Sequence, residues 1–262
     1  MAALSLAAGC GPDRAFERAR ALEERRSLTA AVDALARFAD RWPSDPRAAE
    51  ALVRAARIHA REFGRCPEAR RLFERAAREH SVSGGWAQEA RHGLMECPDF
   101  LPLRDGGTWT YVDSETGGKS MRLEFSVRAS SDGFRGEAEG AYFAGKTRVQ
   151  AYRRRWEKEE WAVWEREGRD RVMLMKFPFE KGMSWTAARG GRPVALEVVS
   201  TGETVKVKAG TFHDCMKIRE SSPGAAAWKY DYYAHGVGKV KTTVGGRGFE
   251  TPNTELAGVR WR

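Results

Sequence analysis

Two hydrophobic periods divide the chain. Up to residue 97, apolar positions recur every three or four places among charged residues, the spacing of helices with one buried face. In 14–26, Ala15, Phe16, Ala19, Ala21 and Leu22 form one such stripe, with Asp13 as the expected N-cap. The next stretch reads as two copies of one unit. The first is Ala31-x-x-Ala34-Leu35-x-x-Phe38-Ala39, a turn Trp42-Pro43-Ser44-Asp45-Pro46, then Ala48-Ala49-Glu50-Ala51-Leu52. The second is Ala69-x-x-Leu72-Phe73-x-x-Ala76-Ala77, a turn over 80–85, then Trp86-Ala87-Gln88-Glu89-Ala90. Each is a pair of antiparallel helices, and 38 positions separate Ala31 from Ala69.

After Cys97-Pro98 the period changes to two. Met121-x-Leu123-x-Phe125-x-Val127 and Val205-x-Val207 alternate as half-buried strands do. Strand-like runs cover 108–113, 121–128, 134–143, 147–156, 161–167, 171–177, 194–200, 204–208, 215–220, 227–233 and 237–244, with glycine turns such as Gly117-Gly118 and Gly190-Gly191 between them. Short strands at this spacing predict an antiparallel barrel or a strongly curved sheet. The expected fold is therefore multidomain α and β, with a terminal segment at 1–10, a helical domain at 11–97 and an antiparallel β domain at 98–262.

The helical units resemble tetratricopeptide repeats, whose period is near ~34 residues. The four-residue excess is assigned to a longer turn around Phe63-Gly64-Arg65. The resemblance, over about 28–95, is to the repeats of outer-membrane-assembly lipoproteins and implies a concave groove for a partner protein. Arg71 and Arg75 are either groove residues suited to carboxylates or plain exposed helix positions. A repeat cannot bury its apolar face alone, so this domain is expected to lean on the β domain or on a partner.

The terminal segment Leu6-Ala7-Ala8-Gly9-Cys10 resembles the end of a bacterial lipoprotein signal peptide, with small residues before the cysteine that is acylated. Residues 2–9 carry no Lys or Arg and are read as the residual part of such a signal. The resemblance implies a lipid anchor on Cys10 and, with Gly rather than Asp at position 11, placement at the periplasmic face of the outer membrane. Cys66 and Cys97 fall at the two ends of the second helix pair, which lie side by side in an antiparallel hairpin, and an oxidising periplasm would let them form a disulfide.

Five signatures give the β domain a resemblance to a bacterial lipoprotein domain with no assigned reaction. They are Pro102-Leu103-x-x-Gly106-x-x-Trp109-Thr110-Tyr111, Phe177-Pro178 with Gly182-x-x-Trp185, Val207-x-Ala209-Gly210-Thr211-Phe212-x-x-Cys215, Tyr232-Tyr233-Ala234-x-Gly236-Val237-Gly238-x-Val240, and Thr254-Glu255-Leu256. Of the nine Trp, seven lie beyond residue 100. Together with the tyrosines they either fill a solid core or line an apolar cavity, and Trp109, Trp185, Tyr232 and Tyr233 are the candidate lining residues.

Composition and charge change this picture little. A net charge of +9 admits acidic partners, but the Arg residues are interspersed with Glu on helix faces, so nucleic acid is not expected. No apolar run approaches the ~20 residues of a spanning helix. There is no GxSxG, P-loop, HExxH or dinucleotide motif and no Cys/His set at metal spacing, so neither a cofactor nor a metal is expected. His213 and Cys215, two apart on one strand, are the single hint of a nucleophile with its base. The sequence therefore predicts a non-enzymatic envelope lipoprotein that docks an envelope protein through its repeats. The alternative is a carrier that holds a lipid or other apolar ligand in a curved sheet.

Overall fold

A computed structural model describes residues 11–80, 84–131, 133–159 and 161–261. Cys10 and its signal-like segment lie outside the described residues. The chain divides into two compact units, Met1–Pro98 and Asp99–Arg262.

Among the described residues the first unit holds five α-helices: α1 (Pro12–Glu24), α2 (Leu28–Arg41), α3 (Ala48–Arg57), α4 (Cys66–Glu79) and α5 (Gly85–Glu96). Each packs against the next, and α3 also touches α5. The reason lies in α3, where Ala48, Ala49, Ala51, Leu52, Val53, Ala55 and Ala56 are all fully buried. Only one polar stripe, Glu50, Arg54 and Arg57, interrupts it; a helix so broadly apolar packs in the middle of a bundle, and its alanines let neighbours come close. The approach of α5 to α4 is equally tight. A Cβ at Gly93 would overlap the Phe73 ring, which is itself buried and has nowhere to go.

Two local expectations are corrected. The cap of α1 is Gly11, not Asp13; Pro12 starts the helix because its fixed φ suits the first position and its missing N–H costs nothing there. Asp13 sits in the first turn and pairs with Arg47 at 2.8 Å. Where a longer turn around Phe63-Gly64-Arg65 was expected, α3 continues as a π-helical segment, Ile58–Glu62, before the chain turns. Gly64, with φ +64°, then reverses the chain.

Cys66 and Cys97 form a disulfide, with Cα atoms 5.1 Å apart and 31 residues of chain between them. Closing a loop of that length removes enough unfolded-chain entropy to contribute about 3–4 kcal/mol. The bond ties the start of α4 to the residue after α5, so the last helix pair is fixed at its open end.

The second unit is one antiparallel sheet of twelve strands: β1 (Thr108–Asp113), β2 (Arg122–Ala129), β3 (Arg135–Ala144), β4 (Thr147–Glu159), β5 (Ala162–Glu167), β6 (Asp170–Lys176), β7 (Ser184–Arg189), β8 (Arg192–Val207), β9 (Gly210–Ser221), β10 (Ala227–Ala234), β11 (Gly238–Gly246) and β12 (Phe249–Arg260). The spatial order is β6-β5-β4-β3-β2-β1-β12-β11-β10-β9-β8-β7. Every hydrogen-bonded pair is consecutive in the chain except β1 with β12, where the first and last strands meet. The sheet curls until its edges β6 and β7 lie side by side, though no backbone ladder joins them. It is an up-and-down barrel with one unzipped seam.

Two strands escape the sequence pattern. β12 reads Phe249-Glu250-Thr251-Pro252-Asn253-Thr254, without alternation and with a proline that cannot donate to a ladder. It is tolerated because Pro252 pairs Thr243 where the β11–β12 register shifts. β7 is short and polar, Ser-Trp-Thr-Ala-Ala-Arg. The runs at 194–200 and 204–208 are one long strand, β8, whose pairing with β9 shifts register repeatedly. The far end of that hairpin reaches β12, where Ala209 N–H donates to the Leu256 carbonyl at 2.9 Å.

The segment ahead of β1 straps one end of the barrel. The Asp99 carboxylate accepts from buried Lys158 of β4 at 2.9 Å, and its carbonyl accepts from Gly236 N–H at 2.8 Å. Its own N–H donates to His235 Nδ1. Leu103, further along the strap, is buried in the core between β2 and β3, against Val127 and Gly136.

Candidate binding site

Strand alternation decides which side chains enter the barrel. Leu123, Phe125 and Val127 of β2 point in, as do Trp109 and Tyr111 of β1, Tyr152, Arg154 and Trp156 of β4, and Glu165 of β5. They surround a cavity of about 220 Å³, roofed by Leu101, Pro102 and Leu103 of the strap. Phe125 is its hub, with ring centroids of Trp109, Tyr111, Tyr152 and Trp156 at 5.4, 6.0, 5.0 and 6.0 Å. Three of these rings have their polar ends paired. Trp109 Nε1 donates to the Val237 carbonyl at 2.9 Å, Tyr111 hydroxyl to the Lys239 carbonyl at 2.7 Å, and Trp156 Nε1 to Glu165 at 3.1 Å. Burial pushes the phenols of Tyr111, Tyr152 and Tyr233 up, so all three stay neutral.

Inside the same barrel runs a chain of alternating charge. Arg154 lies 3.9 Å from Glu165, Glu165 3.4 Å from Arg189, and Arg189 3.1 Å from Glu220. Glu220 lies 3.3 Å from Lys229, Lys229 2.9 Å from Asp231, and Asp231 3.6 Å from Lys239. The step from Glu165 of β5 to Arg189 of β7 crosses the seam. A second bridge crosses beside it, from Trp185 Nε1 of β7 to the Met173 carbonyl of β6 at 2.9 Å. A third joins Gly190 N–H to the Asp170 carboxylate at 2.8 Å.

Asp231 is the deepest member of the chain, with 7% of its surface accessible. Burial works to raise its pKa, but Lys229, Lys239 and the Thr242 hydroxyl outweigh it and hold the carboxyl below the usual carboxylate range. Burial likewise works against the Lys229 ammonium and the Arg189 guanidinium, and their carboxylate partners keep both firmly protonated.

The residues singled out from sequence are distributed as follows. Trp109 and Tyr233 line the cavity. Tyr232 does not: adjacent residues of β10 face opposite ways, and its hydroxyl instead donates to Glu250, which Lys217 and Thr243 also contact. Trp185 is buried in the core but closes the seam instead of lining the cavity. On the helical unit Arg71 is exposed, while Arg75 is held by Asp40 of α2 at 2.5 Å and by Glu79 at 2.8 Å. The charge chain itself escaped the sequence reading. Its signal was present, as charged residues at the inward parity of strands whose inward neighbours are aromatic: Tyr152-x-Arg154-x-Trp156 and Lys229-x-Asp231-x-Tyr233.

Asp231→Asn tests the chain directly. It leaves Lys229 and Lys239 without their shared counter-charge and should cost about 2–3 kcal/mol at neutral pH, the low side for a broken buried pair because both lysines keep contact with water. The sign with pH follows from the lowered pKa. The contribution is complete above the ordinary carboxylate value of about 3.9 and fades as pH falls through the lowered folded value. Denaturant midpoints of the two proteins should therefore differ at neutral pH and converge in acid; a constant gap would rule the ionic origin out.

No protein-family model matches the chain, and no curated protein sequence matches it. Solved structures similar to it include a Bacteroides fragilis protein described as exported and as having a YmcC-like fold, 16% identical, covering 63% of this chain and 100% of that one at a TM-score of 0.45. A Parabacteroides distasonis protein described as a lipoprotein is 17% identical, covers 62% and 98%, and has a TM-score of 0.42. LprF from Mycobacterium bovis is 8% identical, covers 63% and 90%, and has a TM-score of 0.18.

Proposed function

We propose that the protein is a non-catalytic cell-envelope lipoprotein whose barrel receives a small ligand with an apolar body. The observation that carries this reading is the cavity of about 220 Å³ with its wall of aromatic rings. Ligand pockets for larger molecules run to ~300–1,000 Å³, so the fit is to a single short chain or one ring. A filled interior was the alternative, and the space beside Phe125 speaks against it. The disulfide supports an oxidising compartment, and the Cys10 segment supports anchoring by acyl chains. Against catalysis stands the geometry of the one candidate pair: His213 Nδ1 contacts Thr204 at 3.2 Å, and Cys215 is buried with its thiol pushed up to about 11 by burial and by Asp214. Such a thiol stays protonated and unreactive.

Docking of an envelope protein by the helical unit is the second reading. The small-residue helix contacts and the exposed Arg71 support a tetratricopeptide-like surface. Arg75 is spoken for by its carboxylates and contributes little to it.

The ligand reading is tested with octan-1-ol and the full chain by saturation-transfer NMR. Transfer is expected for the wild type and should vanish when the cavity is filled by Leu123→Trp or, from β6, Leu174→Trp, each checked for folding by thermal melting. Absence of transfer to the wild type, or equal transfer to folded variants, refutes it. The anchor is tested by metabolic labelling with palmitate in cells: label on the wild type and none on Cys10→Ser is expected, and an unlabelled wild type contradicts it.

A further inference from the structure

Among the described residues the chain joins four cations, Arg154, Arg189, Lys229 and Lys239, to three carboxylates, Glu165, Glu220 and Asp231. The surplus is sharper on the cavity wall itself, which carries all four cations but only Glu165 and Asp231. Glu220 stands behind, engaged by Arg189 and Lys229.

The unmatched charge can be located. Asp231 Oδ2 already takes Lys229 at 2.9 Å, and Oδ1 takes the Thr242 hydroxyl at 2.6 Å. Lys239 reaches the same carboxylate only at 3.6 Å, and among the described residues its ammonium makes no hydrogen bond. An ammonium has three donors to satisfy. With 38% of its side chain accessible, Lys239 sits where the cavity meets solvent. Its main chain is held to the aromatic wall by the Tyr111 hydroxyl, and the neighbouring Val237 by Trp109. A cation with open donors therefore adjoins an apolar hollow.

We propose that the ligand of this cavity is a small amphiphile with one anionic head, of the carboxylate class. Its head is bound by Lys239 and its apolar body lies against Phe125 and Trp109. This rests on the ligand-binding reading above and adds the head group. The volume sets the size: at ~30 Å³ per water-sized group, about seven such groups fit. A single short acyl chain with its head at the mouth meets that limit, and a two-tailed lipid exceeds it.

The test compares octanoate, octan-1-ol and octylammonium, three ligands of one body and different heads, by titration calorimetry on the full chain at low and high salt. Octanoate should bind more tightly than octan-1-ol by at least roughly tenfold, the worth of one charge-assisted hydrogen bond, and the margin should shrink with salt. Octylammonium should bind weakest. Lys239→Met, which leaves three cations against three carboxylates, should bring octanoate and octan-1-ol to parity, while Lys239→Arg should keep the preference. Equal binding of all three heads by the wild type, or a preference untouched by Lys239→Met, overturns the head-group proposal and leaves the ligand reading standing. No binding of any of the three fails both.

Discussion

The β unit depends on how its sheet closes without a final ladder. β6 and β7 lie together with no backbone pairing, so each presents an edge of unpaired N–H and C=O groups. An open edge is a site for unwanted pairing with other chains. Side chains close it here. The Trp185 indole caps the Met173 carbonyl, Asp170 takes Gly190 N–H, and Arg189 spans from Glu220 to Glu165 across the gap. Replacing a ladder with charges has a physical consequence, since the interior must then hold ions. Ions in turn need a hollow with some access to water, which a closely packed apolar core would exclude. The seam, the charge chain and the cavity are one arrangement.

That arrangement explains why the aromatic residues do not fill the barrel. Phe125 gathers four rings, while Lys229 and Asp231 of β10 and Lys239 of β11 make another stretch of the wall polar. A lumen with an apolar stretch of wall and an ionic one suits a ligand that is itself two-sided. The helical unit is built on another principle. Its alanine-rich α3 is the centre of the bundle, and its last helix pair, α4 with α5, is fixed at the open end by a covalent bond between Cys66 and Cys97. A barrel with a cavity and a helical unit tied by a disulfide support the proposed anchored envelope protein.

Much of this was legible in the sequence. The five helices and ten of the twelve strands follow from periods of 3.6 and two, and the pairing of Cys66 with Cys97 follows from placing them at the open end of one helix pair. β12 was hidden because a central strand with Pro252 breaks the alternation rule, and only the bulge opposite Thr243 makes it tolerable. The site was half visible. Trp109 and Tyr233 were found as bulky aromatics, but Tyr232 was misplaced because side-chain type says nothing about which face of β10 it occupies. The lumen charges were missed, since a lysine or arginine on a strand is ordinarily outside. Only the inward parity they share with Tyr152, Trp156 and Tyr233 marks them as lumen residues.

The central claim is that interior charges hold the seam shut. The direct measurement is the distance distribution between spin labels at Met173 of β6 and Thr186 of β7, with a reference pair at Thr108 and Arg260 across the β1–β12 ladder. The account predicts one narrow distribution at both places in the otherwise unchanged protein, and a broad one at the seam alone in Arg189→Met. A seam that stays as narrow as the ladder when Arg189 is gone would contradict it.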